Sequence, residues 1–184
     1  MRPFISLAVG AMVFLCGCKP AAPPVDYTPI GTFREVMKSV VEPNADFIWG
    51  AIATNITSKG IEKKVPRTDE EWDEVHKHAI ALVEATNLLV IPNRHVAKPN
   101  EKADNPDYER DPKDVEAMIA KDRGAFLKHV GALREESLKM LSLVEAKDVQ
   151  GIDDNGAVLD KVCEDCHTTY WELPDKDDKD NKEK

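Results

Sequence analysis

Apolar residues recur at three- and four-residue intervals along most of this chain, the spacing of one face of an α-helix. Phe33, Val36, Met37, Val40, Val41, Phe47, Ile48 and Ala51 share such a face and predict a helix from about Thr32 to Ile56. Pro43 lies inside it, and because the apolar phase continues past the proline, a kinked helix is predicted in place of two unrelated ones. KGIEKKVPR, with Gly60 and Pro66, reads as a turn. Thr68 and Glu71 form a capping box, and Trp72, Val75, Ala79, Leu82, Val83, Thr86 and Val90 line a second helix that ends before Pro92. The polar, proline-containing connection from Pro92 to Asp111 could loop over the edge of a bound group or be solvated, and is expected to be solvated. Asp111 as N-cap and Pro112 at the first helical position open a third helix. Its inner stripe is Val115, Met118, Ile119, Phe126, Val130, Leu133, Met140, Leu141 and Val144. Gly151 and Gly156 punctuate the chain before a fourth helix, which carries Leu159, Val162, Cys163, Cys166 and Tyr170 on one side and ends at Pro174. The expected fold is all-α, with one domain over residues 32–173.

The first residues follow a different pattern. MRPFISLAVGAMVFLCGCKP places Arg2 before an apolar stretch from Phe4 to Leu15, too short for a bilayer span of ~20 residues, and reads as a signal peptide over residues 1–17. Leu15-Cys16-Gly17-Cys18 resembles a bacterial lipobox, which implies lipidation of Cys18. Lys19 follows where Asp would mark retention at the inner membrane, so the expected location is the periplasmic side of a bacterial membrane, as an outer-membrane lipoprotein. Residues 18–31 are Pro-rich and read as an anchor and extended tether, while residues 174–184 form a mixed-charge tail expected to be disordered. A length of 184 residues with 42% hydrophobic content supports one core. Acidic residues outnumber basic ones 34 to 25, a net charge of −9, which argues against a nucleic-acid partner.

Cysteine arithmetic isolates one motif. Of 4 cysteines, Cys16 and Cys18 belong to the leader and anchor, leaving Cys163 and Cys166 in CEDCH. Zinc would need two further ligands from scattered His, Asp or Glu, since no second Cys-x-x-Cys exists. A redox dithiol would need a strand-to-helix turn, and NGAVLDKVCEDCHTTYWEL has helical periodicity instead. A disulfide across two intervening residues closes almost no loop and is awkward inside a helix. Covalent haem c suits the spacing best. Two sulfurs three residues apart on a helix project from one face, where they can form thioethers with the two vinyl groups of one haem, and His167 follows as proximal iron ligand. Attachment of this kind takes place outside the cytoplasm, in agreement with the leader.

Four amphipathic helices with CEDCHTTYW on the last resemble the cytochrome c-prime family over residues from about Thr32 to Trp171. The resemblance implies an antiparallel four-helix bundle with one covalent haem in its core. It also implies that the first helix supplies the residue facing the sixth iron position, which Met37 in FREVMKSV matches. Arg34 resembles the family's first-helix arginine that meets a haem propionate, although it lies three residues before Met37 where the family spacing is four. Trp171 stands where many relatives carry a basic residue. His129, on the third helix's inner stripe, and His76, on the inner side of the second helix, are expected as hydrogen-bonded core or boundary histidines, with His129 the stronger rival to Met37 as sixth ligand, and His78 and His95 are expected at the surface or on loops. Arg94 could reach a propionate or coat the surface, and Trp49, Trp72 and Trp171 are expected to be packing residues. The function implied is electron transfer with a redox partner protein, without catalysis. The alternative is a five-coordinate haem that captures nitric oxide or another small gas. Monomer and homodimer both stay open.

Overall fold

The computed structural model describes residues 28–58 and 60–174. The expected leader, Cys18, most of the tether and the charged tail lie outside the described residues. Within them the chain is mostly helical, with one small antiparallel hairpin. The elements are α1 (Phe33–Val36), a π-helical turn (Met37–Val41), α2 (Glu42–Ala51), β1 (Ala53–Thr57), β2 (Gly60–Lys64), α3 (Asp69–Leu89), α4 (Pro112–Lys121), α5 (Arg123–Glu145) and α6 (Val149–Tyr170).

The first helix begins as predicted, with Thr32 and Glu35 in a capping box. The effect of Pro43 differs from a simple kink. Proline has no N–H to return to the preceding turn, and that turn widens so that the Glu42 N–H reaches back five residues to the Met37 carbonyl. One residue is thereby inserted and the inner face rotates: Phe33 and Val36 are buried, then Val41, Ala45 and Ile48. Phe47, expected inside, is 38% exposed and stacks on His78 with ring centroids 3.8 Å apart.

The predicted continuation to Ile56 and the turn after it are corrected. The helix stops at Ala51, Ile52 turns extended (φ −124, ψ 105), and Ala53 pairs with Lys64 through to Thr57 with Gly60. Thr54 is a β-branched residue that favours this extended state, and Gly60 takes φ +124, which L side chains rarely adopt.

α3 follows its capping box and buries the predicted stripe except at its end, where Leu89 is inside and Val90 is 42% exposed. The single predicted third helix is two. Asp122 leaves helical geometry (φ −140, ψ 74) and its carboxylate recaps α5 by accepting from the Ala125 N–H at 2.8 Å. The seven-residue step from Ile119 to Phe126 keeps both on the core side, which is why periodicity alone did not reveal the break. α6 in turn starts earlier than expected, at Val149, and runs through both glycines. Gly156 is a contact residue: a Cβ there would sit 3.4 Å from the Trp49 ring, whose Nε1 donates to the Gly156 carbonyl at 3.3 Å.

Contacts between ends set the directions of the helices. Lys147 reaches Asp69 at 2.7 Å while Arg123 donates to the Val90 carbonyl at 2.8 Å, so α3 and α5 run antiparallel. α6 returns along α5, bringing Tyr170 edge-on to Phe126 at 5.7 Å. Phe33 meets Phe126 edge-on at 5.3 Å, closing the first helix onto the same core. Leu159, fully buried one turn before Cys163, tests this core. Leu159→Ala is expected to lower stability by about 2–5 kcal/mol, read as an earlier midpoint in urea unfolding.

Candidate cofactor site

Cys163, Cys166 and His167 occupy positions i, i+3 and i+4 near the C-terminal end of α6, so they share one face, and all three line one cleft. The cleft has a volume of about 190 Å³ and opens to solvent at one end. Phe33, Arg34 and Met37 form the opposing wall, and Leu89, Phe126, His129, Val130, Leu133 and Val162 complete an apolar interior. Met37 enters from the first residue of the π-helical turn, a local irregularity of the kind often found at functional positions. Residues far apart in sequence and singled out for one chemistry are therefore brought to one space. His129 shares it and packs edge-on to Tyr170 at 5.6 Å.

Burial controls the thiols. Loss of solvation, with Asp160 nearby, pushes the Cys163 thiol up to about 11, and loss of solvation, with Cys163 nearby, pushes Cys166 up to about 12. Both cysteines are free. Reactive dithiols in Cys-x-x-Cys motifs have lowered values and sit at helix N-termini, whereas this pair lies near a helix C-terminus, where the dipole disfavours thiolate.

The mouth is charged. Arg34 is buried, with its guanidinium 2.6 Å from Asp104 and 3.0 Å from Glu101, and it donates to the Lys102 carbonyl at 2.7 Å. Lys38 reaches the same Asp104 carboxylate at 2.7 Å. The connection from Pro92 to Asp111 is largely exposed, as expected, and it also crosses the mouth as a strap that places Asp104 and Glu109 on the cleft lining. Its two ends are tied down: the Phe33 and Arg34 N–H groups donate to the His95 and Val96 carbonyls, and the Arg110 N–H donates to the Trp171 carbonyl at 2.7 Å. Trp171, expected only to pack, also lines the cleft, with its ring centroid 6.4 Å from that of His167.

Hydrogen bonds from Lys38 and Arg34 hold the Asp104 carboxyl down to about 2. Because this lies below its ordinary value of 3.8, the contribution of Asp104 to strap closure is complete above the usual carboxylate range and is lost as pH falls through about 2. Asp104→Asn is expected to loosen the strap already at neutral pH. The measurement is amide hydrogen exchange, with several-fold faster exchange at Arg110 and Leu173 and little change in α5.

No protein-family model, curated protein or solved structure matches this chain.

The remaining histidines lie elsewhere. His76, expected on the inner side, is part-exposed with Nε2 3.5 Å from Glu145. His78, expected at the surface, is half-buried and its Nδ1 lies 2.7 Å from Asn44 Oδ1. His95 is loop-borne as expected, 2.8 Å from Glu116. Arg94 does neither of the things expected of it: it donates to the Leu88 carbonyl at 3.1 Å and to the Gly31 carbonyl, clamping the entry to α1 to the end of α3.

The donor set distinguishes the possible occupants. Among the described residues no group of three or more His, Cys, Asp or Glu is placed to hold a metal ion, whereas a structural zinc site takes four protein donors. Haem iron receives four nitrogens from its macrocycle and asks the protein for one or two axial ligands. An apolar interior with two thiols, an imidazole and a thioether suits a flat apolar macrocycle, and at the mouth Arg34 and Lys38 stand among Glu42, Asp104 and Glu109, which also line the cleft.

Proposed function

We propose that this protein is a lipid-anchored c-type cytochrome on the periplasmic side of a bacterial membrane, probed and reduced by a protein partner and carrying one electron on a covalent haem. The observation that carries the reading is that Cys163, Cys166, His167 and Met37 line the same cleft. Cys163 and Cys166 would tether the haem, so that it is not lost outside the cytoplasm. His167 would ligate the iron from α6 and Met37 from the first helix, with Arg34 and Lys38 nearest the propionates. When bound, haem supplies a one-electron centre, and a thioether ligand favours the ferrous state. The chain's own part is to exclude water with Phe33, Phe126, Val130 and Leu133 and to fix both axial side chains. Arg34 would have to share its guanidinium between Asp104, Glu101 and a propionate.

Under this reading the first helix, α3, the α4–α5 arm and α6 form an antiparallel four-helix bundle of cytochrome c-prime type. Support comes from the antiparallel contacts of α3, α5 and α6 and from the position of the Cys-x-x-Cys-His motif on the last helix.

The deciding experiment is a pair of absorption spectra, ferric and ferrous, of the full chain produced in a host with haem-attachment machinery. A covalent c-type haem that stays with the polypeptide in denaturing electrophoresis is expected, and its absence overturns the proposal. For the anchor, Cys18→Ser is expected to move nearly all of the protein from the membrane fraction to the soluble periplasm or to stall its processing, measured by fractionation. A native protein that is soluble with an unmodified N-terminus would remove the lipid and leave the haem reading standing.

A further inference from the structure

Behind the cofactor cleft lies a second groove of about 510 Å³, open to the outside and lined by Tyr108, Glu109, His167, Trp171, Glu172 and Leu173 among others. His167, Trp171 and Glu109 line both spaces, so the partition between them is one side chain thick. The groove is a built feature. The Leu173 N–H donates to the Tyr108 carbonyl and the Arg110 N–H to the Trp171 carbonyl, each at 2.7 Å, and Glu109 pairs with Glu172 in an isolated antiparallel bridge. The N–H groups of Trp171 and Glu172 both donate to the His167 carbonyl, at 2.7 and 3.0 Å, so the groove's backbone and the candidate axial ligand's backbone are one unit.

Two properties of this surface select an occupant. Tyr108 is 71% exposed and Leu173 40% exposed, an aromatic and an aliphatic residue held outward at the groove's edge. Its rim is acidic. Glu109 and Glu172 are partners in the bridge, the Glu109 carboxylate accepts from the Asp104 N–H at 3.0 Å, and exposed Asp107 lies beside Tyr108. Lysines on a partner's face would meet this acidic rim.

The geometry points to this groove as the docking surface for a small one-electron carrier protein whose contact face is lysine-rich. The inference rests on the haem reading above. In the step it serves, ferrous iron on this chain gives one electron to the partner's oxidised centre and becomes ferric, with no proton transferred. The electron leaves at the His167–Trp171 wall, which the two spaces share. Acidic rim residues steer the encounter and Tyr108 and Leu173 supply the apolar contact.

The test uses the full chain loaded with haem and a lysine-rich soluble cytochrome c as oxidant, followed by stopped-flow absorbance over a range of salt concentrations. Asp107→Lys with Glu172→Lys is expected to leave the haem spectrum unchanged, to lower the second-order rate on the order of ten-fold at 0.1 M salt, where both double variants are compared, and to flatten its salt dependence. The control is Asp153→Lys with Asp154→Lys, the same change of charge at the opposite end of α6 and roughly 20 Å away along the helix, about two screening lengths at 0.1 M salt. This control is expected to change the rate less than two-fold, by the screening argument. Equal losses in both double variants would mean that only net charge matters, and no loss in the rim variant would mean docking elsewhere; either overturns the groove and leaves the haem reading intact. A chain that acquires no haem overturns that reading and this inference with it.

Discussion

A chain in which Cys163 and Cys166 are both replaced by Ser is expected to carry no covalent haem, with the stained band lost completely while the parent chain stains. Each thiol would supply one thioether, so Cys163→Ser or Cys166→Ser alone is expected to retain a single bond and a weaker band. The same replacements separate haem from rival uses of the motif. Both thiols are pushed up by burial, to about 11 and about 12, so at neutral pH they are protonated and are poor nucleophiles for disulfide exchange. Ser at these positions keeps the helix and nearly the same volume, which makes loss of haem attributable to lost sulfur. If the parent chain matures without haem and instead co-purifies with stoichiometric zinc, the motif is a metal clamp and the cytochrome reading is wrong.

The sixth iron position is the second large effect. With Met37 as ligand the haem-loaded protein is expected to be low-spin in both oxidation states, and Met37→Ala to convert it to high-spin and admit carbon monoxide or nitric oxide. Removing the thioether leaves an apolar gap beside Phe33 and Phe126, while Lys38, the other residue of that turn on the cleft, is held by Asp104 at 2.7 Å. His129→Ala is the necessary companion, because His129 lines the same cleft and is only edge-packed on Tyr170. It is expected to leave the spectrum low-spin. A native ferrous protein that is already high-spin and binds those gases makes the cleft a gas receptor. Loss of the low-spin state in His129→Ala in place of Met37→Ala makes the site bis-histidine.

Much of the candidate site was legible because its chemistry is local. Cys163, Cys166 and His167 need only a helix to share a face, and the helical periodicity around them is plain in the sequence. Met37 was legible through resemblance, and its inward direction through the apolar stripe. Trp171, Asp104 and Glu109 were not legible as cleft residues. Two sit on a strap with no periodicity, and Trp171 follows the last turn of α6, so their positions depend on backbone hydrogen bonds to distant segments, such as Arg110 to Trp171. Arg34 was named for a ligand it would share, but its partners Glu101 and Asp104 lie 67 and 70 residues on and carry no signal at short range.

The sequence by itself determined the helical class, the start of the first helix near Thr32, the caps at Thr68 and Asp111, the core stripe of α3 and the grouping of two thiols with an imidazole. These follow from side-chain chemistry and from the 3.6-residue period, which act over one or two turns. Only the tertiary structure decided the one-residue rotation after Val36, the break at Asp122, the hairpin from Ala53 to Lys64, and the passage of Gly156 through a helix interior. At Gly156 two local states lie close in energy and a distant contact selects one. Trp49 against Gly156 shows the principle: glycine is a poor helix former in isolation, yet its missing Cβ is what lets the indole ring approach α6.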